Sequence, residues 1–437
     1  MHWIQQIVFL LCLATGIEFF RRSVLTIRRN IKLGRDLDIS DQPKERIKQT
    51  LLVALGQSKM VRRPVAGFFH ILIYVGFVLI NIEVLEILID GLFGTHRVFA
   101  APLGGLYNGA IAFFEWLALG VLLACVVFLY RRYVQKLPRF AMREMKGWPT
   151  KDATIILFVE IVLMGALLQM NATEQVLQAR GEMAAHGSFP VSSWFVPLYD
   201  GMSSASLHIL ERTFWWFHFI GILLFLNYLP FSKHWHIIMA FPNVYYSSLK
   251  PKGQLDTMDS VTTEVKLMMD PSAAVPEGYE PPAGFGAKDV SDLSWKNLMD
   301  AYSCTECGRC SSVCPANITG KLLSPRKVMM DTRDRLEEVG KAMDKAVSGT
   351  PIDDGKNLHT YVSAEELWAC TTCNACADAC PININPVDII MQMRQYLVME
   401  QSAAPSELNG MFANMENNGA PWQFNQNDKG AWAKADS

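Results

Sequence analysis

Cys304-Thr305-Glu306-Cys307-Gly308-Arg309-Cys310-Ser311-Ser312-Val313-Cys314-Pro315 decides the fold of the C-terminal half of this chain. The pattern returns as Cys370-Thr371-Thr372-Cys373-Asn374-Ala375-Cys376-Ala377-Asp378-Ala379-Cys380-Pro381. Each run reads C-x2-C-x2-C-x3-C-P. Three thiolates at such short intervals can wrap three corners of an iron–sulfur cubane. The fourth points away, and the proline turns the chain. Structural zinc usually takes two separated cysteine pairs, which four crowded cysteines plus proline, twice over, fit poorly. Both runs are complete, so neither suggests a [3Fe–4S] site.

The remaining cysteines, Cys12 and Cys125, lie alone in apolar stretches and read as inert filling. Eight clustered cysteines in a chain of 437 residues do not make a secreted disulfide scaffold; they favour metal in a reducing compartment. The net charge of −2 argues against nucleic acid as a partner. Half the residues are hydrophobic, but apolar segments dominate only up to about residue 240.

Five stretches, near 3–21, 65–89, 106–130, 153–171 and 206–232, are long enough to cross a bilayer, which takes roughly 20 helical residues. The first lacks a basic start and a small-residue cleavage site and ends in Arg21-Arg22, so it reads as a retained anchor. Arginine and lysine crowd the loop after the first stretch (Arg21 to Arg63) and the loop after the third (Arg131 to Lys151). The other two loops hold little beyond Arg97 and Arg180. Basic loops stay cytoplasmic. The expected topology is an inner-membrane protein with its N-terminus outside and everything after the fifth span, both cysteine runs included, in the cytoplasm.

Three histidines sit at useful depths. His70 lies early in the second span, His218 within the fifth and His236 at its cytoplasmic end. Eighteen residues from His218 to His236 make five turns and about 27 Å of uninterrupted helix, with both rings on one face. The second span starts at the cytoplasmic side and the fifth ends there, so His70 and His236 share a depth. Two imidazoles from facing helices suit a haem iron. The competing reading makes His70 a hydrogen-bonded core residue and His236 an interfacial one. Glu18, Glu83, Glu86, Glu115 and Glu160 fall inside spans, where carboxylates are costly. They are candidates for proton delivery to a quinone, or else structural hydrogen-bonding groups.

The run Leu229-Pro230-Phe231-Ser232-Lys233-His234-Trp235-His236, with His218 upstream, resembles the cytochrome b (gamma) subunit of respiratory nitrate reductase and its relatives in heterodisulfide reductase and sulfite-reduction complexes. The resemblance implies five spans and a haem b between the second and fifth, held here by His70 and His236. That family has a second histidine ten residues after the first on span two. Ile80 stands there instead, leaving His218 without its usual partner and a second haem without its ligand pair. His208 reads as an exposed helix start.

The cysteine runs resemble those of bacterial ferredoxins, whose fourth cysteine serves the other cluster. The resemblance implies that Cys304, Cys307, Cys310 and Cys380 hold one [4Fe–4S] cluster and Cys370, Cys373, Cys376 and Cys314 the second. Fifty-five residues separate the runs, with helical stretches expected at Ser324–Gly340 and Ala364–Ala369 and another at Val387–Glu400. This spacing resembles the all-helical ferredoxin domain of the heterodisulfide, succinate and glycerol-3-phosphate enzyme families. Residues 241–295, rich in Pro271, Pro276, Pro281, Pro282, Gly278, Gly284 and Gly286, read as an irregular linker. The polar tail, also read as irregular, contains Glu416-Asn417-Asn418-Gly419-Ala420-Pro421-Trp422, which resembles the segment preceding cysteine-rich CCG domains in heterodisulfide reductase D-type proteins.

The expected fold is therefore all-α: a five-helix transmembrane bundle (1–240), a linker (241–295), an all-helical two-cluster ferredoxin domain (296–400) and a tail (401–437) that docks a partner. The arrangement resembles membrane oxidoreductases linking electron-transfer flavoprotein to menaquinone. It implies an electron-transfer subunit working between a CCG-domain or flavoprotein subunit and menaquinone or another quinone in the lipid. Two alternatives stay open: an iron–sulfur subunit without haem, and a non-redox anchor for a cytoplasmic complex. No nucleotide-binding glycine loop or catalytic triad appears.

Overall fold

The N-terminal half is built from α1 (His2–Ile31), the short α2 (Pro43–Thr50), α3 (Pro64–Phe93), α4 (Gly105–Tyr133), α5 (Trp148–Ala179) and α6 (Ser204–Tyr228). All but α2 belong to stretches long and apolar enough to cross a membrane. The C-terminal half contains α7 (His236–Tyr245), α8 (Asp259–Met269), α9 (Trp295–Ser303), α10 (Pro325–Lys345), α11 (Pro386–Met399) and α12 (Ser406–Asn418), with shorter helical turns between them. This computed structural model describes residues 2–270, 272, 274, 275, 279, 284–346, 354–423, 426–428 and 430–434. Among them there is no β-strand, and one isolated parallel bridge joins Arg35 to Ser294. Pro271, Pro276, Pro281, Pro282 and Gly278 of the expected linker lie outside the described residues.

α3, α4, α5 and α6 pack on one another, and α1 lies against α3 and α6. Phe9 of α1 is buried and stacks on Phe219 of α6 with ring centres 4.1 Å apart. Most of α1 instead presents Trp3, Ile4, Ile7, Leu10 and Leu11 outward, the pattern expected of a lipid-facing helix.

Two helix ends differ from the sequence reading. The first apolar stretch ends at Arg21-Arg22, but α1 continues to Ile31. Glu18 accepts hydrogen bonds from Arg21 and Arg22, both at 2.7 Å, pairs at helical spacing that support the extra turns. The extension carries Ile27 and Ile31 into the core of the C-terminal half. The fifth stretch is not one helix through His236. α6 stops at Tyr228, a 3-10 turn covers Leu229–Phe231, Ser232 is extended at φ −119° and ψ 152°, and α7 starts afresh at His236. Pro230 is compatible with a first turn but not with a helix interior. The single five-turn helix carrying both His218 and His236 is therefore corrected.

One apolar core runs through the junction of the two halves. Ile27, Ile31, Phe225, Leu229, Trp235, Met239 and Val244 pack in the same cluster as Leu298, Ala301, Leu336, Ile389, Ile390 and Met393. Backbone hydrogen bonds fix it: Arg35 N to Leu293 O at 2.7 Å and Trp295 N to Arg35 O at 3.0 Å. Gly34 makes this approach possible, because a Cβ there would lie 2.6 Å from the backbone nitrogen of Trp295.

Within residues 241–295, α8 is helical, and Ala287, Val290 and Leu293 are fully buried beside α9 and α11. The tail also differs from the irregular reading, since Ser406–Asn418 is helical. Pro405 precedes that helix and Gly419, at φ +66°, ends it, a pairing of boundary residues that encodes a helix despite the polar composition.

Candidate functional site

The two cysteine runs are structural repeats. Each begins after a short helix whose N-terminus carries a capping box: Ser294 with Asn297 before α9, and Ser363 with Glu366 before Ala364–Trp368. Each then enters left-handed backbone at the same two motif positions. Glu306 (φ 54°) and Gly308 (φ +69°) in the first run match Thr372 (φ 56°) and Asn374 (φ 57°) in the second. Such residues curl the chain around whatever the cysteines hold. Each run ends with Cys-Pro; Pro315 opens the helical turn Pro315–Ile318.

Cys304, Cys307 and Cys310 line one cavity together with Cys380 from the other run. Cys376 also reaches its wall, as do Arg309, Arg326, Met329, Ile382 and Ile384. Cys376 interacts electrostatically with Cys370, Cys373 and Cys314. The fourth cysteine of each run thus approaches the other run's first three. Burial pushes the thiols of Cys304, Cys376 and Cys380 up to about 12 and that of Cys310 higher still. Thiols so placed lose their protons to a metal rather than to water. Among the described residues no three His, Cys, Asp or Glu side chains converge on a point suited to a single metal ion. A cubane, with an iron at each of four corners, asks its thiolates to stand farther apart than one zinc does. Cys373 is exposed, so the second cage lies at the protein surface.

His70, on α3, and His236, at the start of α7, face each other with ring centres 6.3 Å apart and planes inclined at 45°. Two imidazoles bonded to one iron at about 2 Å each, with ring centres about 1 Å behind each nitrogen, stand roughly 6 Å apart. Nδ1 of His236 lies 3.0 Å from the Lys233 carbonyl, to which it can donate, leaving Nε2 with its lone pair. Burial lowers the basicity of His236, which favours the neutral, ligating form. Nδ1 of His70 is buried without a hydrogen-bond partner. The pair therefore fits an iron by donor type and separation. His234 packs beside His236 at 5.7 Å, nearly perpendicular.

His218 stands apart. It is buried in α6 with Nδ1 3.0 Å from the Leu163 carbonyl. Ile80 is also buried, in the bundle core. His208 lies at an exposed position 3.1 Å from Glu182.

The carboxylates inside the spans separate by environment. Glu18 is the partly exposed partner of Arg21 and Arg22. Glu86 accepts hydrogen bonds from Tyr107 Oη at 2.7 Å and Phe99 N at 2.9 Å. Glu115 accepts from Val191 N at 2.8 Å and Asn171 Nδ2 at 3.1 Å. Arg97 organises this end, donating to Glu174 at 2.7 Å and Asn171 at 2.9 Å, with Glu83 at 3.9 Å. These buried groups are mutually satisfied, as low-dielectric surroundings require. Glu160 is half-buried.

Sequence reading missed the groups that join cage to histidine. Glu306, between Cys304 and Cys307, is buried and binds both Lys233 Nζ and Arg333 Nη1, the latter at 2.8 Å. The same Lys233 contacts Asp152 at 3.8 Å, and its carbonyl is the one facing His236. Arg326, fully buried at the start of α10, donates to Glu144 at 2.7 Å and to the Arg139 carbonyl at 2.7 Å, tying the loop after α4 to the first cage. A left-handed Glu306 inside a cysteine motif was the only local signal.

Residues 303–384 match the family described as 4Fe-4S dicluster domain, which supports two [4Fe–4S] clusters. The chain is 28% identical to the Bacillus subtilis protein named probable iron-sulfur-binding oxidoreductase FadF, over 98% of this chain and 60% of that one. It is 28% identical to the EtfAB:quinone oxidoreductase of Syntrophomonas wolfei, over 90% of this chain and 54% of that one. A membrane-anchored ferredoxin of Chromohalobacter salexigens, named as probable, is 31% identical over 39% of this chain and 26% of its own. The chain thus spans little more than half the length of the first two relatives. The relatives are named iron–sulfur proteins and oxidoreductases; no solved structure matches.

Proposed function

We propose that this chain is a membrane-bound electron-transfer subunit, passing electrons between a cytoplasmic redox partner and the quinone pool through two [4Fe–4S] clusters and a haem b. The observation that carries the reading is the junction. Lys233 touches the first cysteine loop through Glu306 and faces His236 through its own carbonyl. Cys304, Cys307, Cys310 and Cys380 are the ligands of the first cluster; Cys370, Cys373, Cys376 and Cys314 are those of the second. His70 and His236 are the axial pair for the haem, which supplies one-electron chemistry at the membrane surface. His218 lacks a partner histidine and is not assigned a haem.

The name of one relative, an EtfAB:quinone oxidoreductase, supports the quinone as acceptor and a flavoprotein as donor. Similarity to a heterodisulfide reductase polypeptide of Methanosarcina acetivorans, 28% identical over 34% of this chain, supports a CCG-bearing partner as the other possibility. The basic loops support a cytoplasmic position for the clusters and an N-terminus outside. The test is spectroscopic. The purified full chain should show a b-type alpha band in its reduced-minus-oxidised spectrum and a [4Fe–4S] EPR signal on reduction. His236→Ala should abolish the band and His218→Ala should keep it. A wild-type chain without the band turns the assignment to a haem-free iron–sulfur subunit, and one without the EPR signal rejects electron transfer altogether.

A further inference from the structure

The first cage is ringed by positive charge that the second lacks. Arg309 lines the cavity of Cys304, Cys307, Cys310 and Cys380, donating to the Lys59 carbonyl at 3.0 Å. Lys59 Nζ donates to the Cys380 carbonyl at 3.2 Å. Arg63 reaches Ser312, inside the first run, at 2.6 Å. Arg139 lies against Gly308, where a Cβ would come within 3.3 Å of its own Cβ. Among the described residues none of these four cations has a carboxylate within ion-pair distance. Their crowding shows in Arg139, held down to about 10 by burial first and by Arg63 and Arg309 after the charge of Cys307 has opposed them.

Around the second cage the comparable group is Arg394, which donates to the Leu367 carbonyl at 2.9 Å and also to that of Cys370. Lys252 and Arg62 are close by, but both are paired with Asp378. Three of the four unpaired cations at the first cage, Lys59, Arg63 and Arg139, come from loops of the membrane half. Docking of the two halves delivers them.

A cluster gains a negative charge on reduction, and net charge around it sets its potential. We propose that Lys59, Arg63, Arg139 and Arg309 raise the reduction potential of the membrane-side cluster above that of the surface cluster, which biases electrons toward the bilayer. This rests on the two-cluster reading given above, not on the haem. In the step itself the reduced surface cluster, beside exposed Cys373, gives up one electron and is oxidised. The membrane-side cluster takes that electron and is reduced. No bond or proton changes hands. The partner subunit supplies the next electron and the membrane acceptor removes the last.

The test is an EPR-monitored redox titration of the full chain in detergent. Two midpoints are expected. Arg63→Gln with Arg139→Gln should lower only the higher midpoint, changing the reduced-to-oxidised ratio at fixed potential by about tenfold, which is 59 mV for one electron. Arg394→Gln should lower only the lower one. Lys341→Gln, an exposed substitution on the same half, should move neither. If the double variant assembles without iron, Arg63→Gln alone, which gives up one hydroxyl contact, carries the same test. The proposal is overturned if the arginine substitutions at the first cage leave both midpoints in place or shift the lower one. Absence of both cluster signals from the wild type would reject the cluster reading itself, a distinguishable result.

Discussion

Arg326 is the residue on which the union of the two halves leans most. It is completely buried. Its guanidinium gives two hydrogen bonds to Glu144, at 2.7 and 3.1 Å, and one to the Arg139 carbonyl at 2.7 Å. Glu144 also accepts from Ser324 Oγ at 2.6 Å. Arg326→Met keeps volume but strands Glu144 in a dry site, and removing one partner of a buried pair costs about 3–5 kcal/mol. Replacing both members by apolar groups removes the stranded charge. In Arg326→Met/Glu144→Leu the remaining loss is the carbonyl and hydroxyl bonds, about 1 kcal/mol each. The double variant should therefore be more stable than the single one by roughly 1–3 kcal/mol, a coupling that additivity forbids. The assay is guanidinium unfolding in detergent, followed by loss of iron–sulfur absorbance. A double variant no more stable than Arg326→Met would refute the argument that a stranded carboxylate, rather than lost packing, dominates the cost.

Two further outcomes are expected. Gly34→Ala forces a methyl group to within 2.6 Å of the Trp295 backbone, so the Arg35–Leu293 and Trp295–Arg35 bonds should loosen at a cost of about 1–3 kcal/mol; faster tryptic cleavage after Arg35 would register it, and an unchanged rate would count against it. Burial pushes the Asp331 carboxyl up to about 6 despite Lys327 at 2.7 Å, so this group holds its proton in the folded chain while an unfolded chain releases it, and its contribution lowers stability as pH rises from about 4 to 6. Asp331→Asn should gain on the wild type across that window in unfolding midpoint, and a difference that stays flat with pH would contradict the assignment.

What could be read in advance was whatever rests on spacing along the chain. Cys304 to Cys314 and Cys370 to Cys380 place their thiols by covalent geometry, and five apolar runs announce five helices by length alone. The tail helix escaped because its residues are polar, and only Pro405 and Gly419 marked its ends. Long-range pairs escaped for a different reason. Arg326 and Glu144 are 182 residues apart, and Lys233 and Glu306 are 73 apart. Nothing local selects such partners, since several other basic and acidic residues would serve equally well in an unfolded chain.

The misread helix between His218 and His236 shows how these two limits meet. Counting turns assumes an unbroken ladder, and Pro230 together with extended Ser232 breaks it. Had the helix continued, the carbonyl of residue 233 would have been held within the helical ladder rather than near an imidazole. The break turns Lys233 so that its carbonyl meets Nδ1 of His236 while its ammonium reaches Glu306. The same break therefore orients the histidine and anchors the first cysteine loop. Because Glu306 is gripped by Arg333 as well, movement of the cysteine loop would be transmitted to the ring facing His70. An irregular segment here is what lets one residue serve both metal sites, and that is why the period of a regular helix could not reveal it.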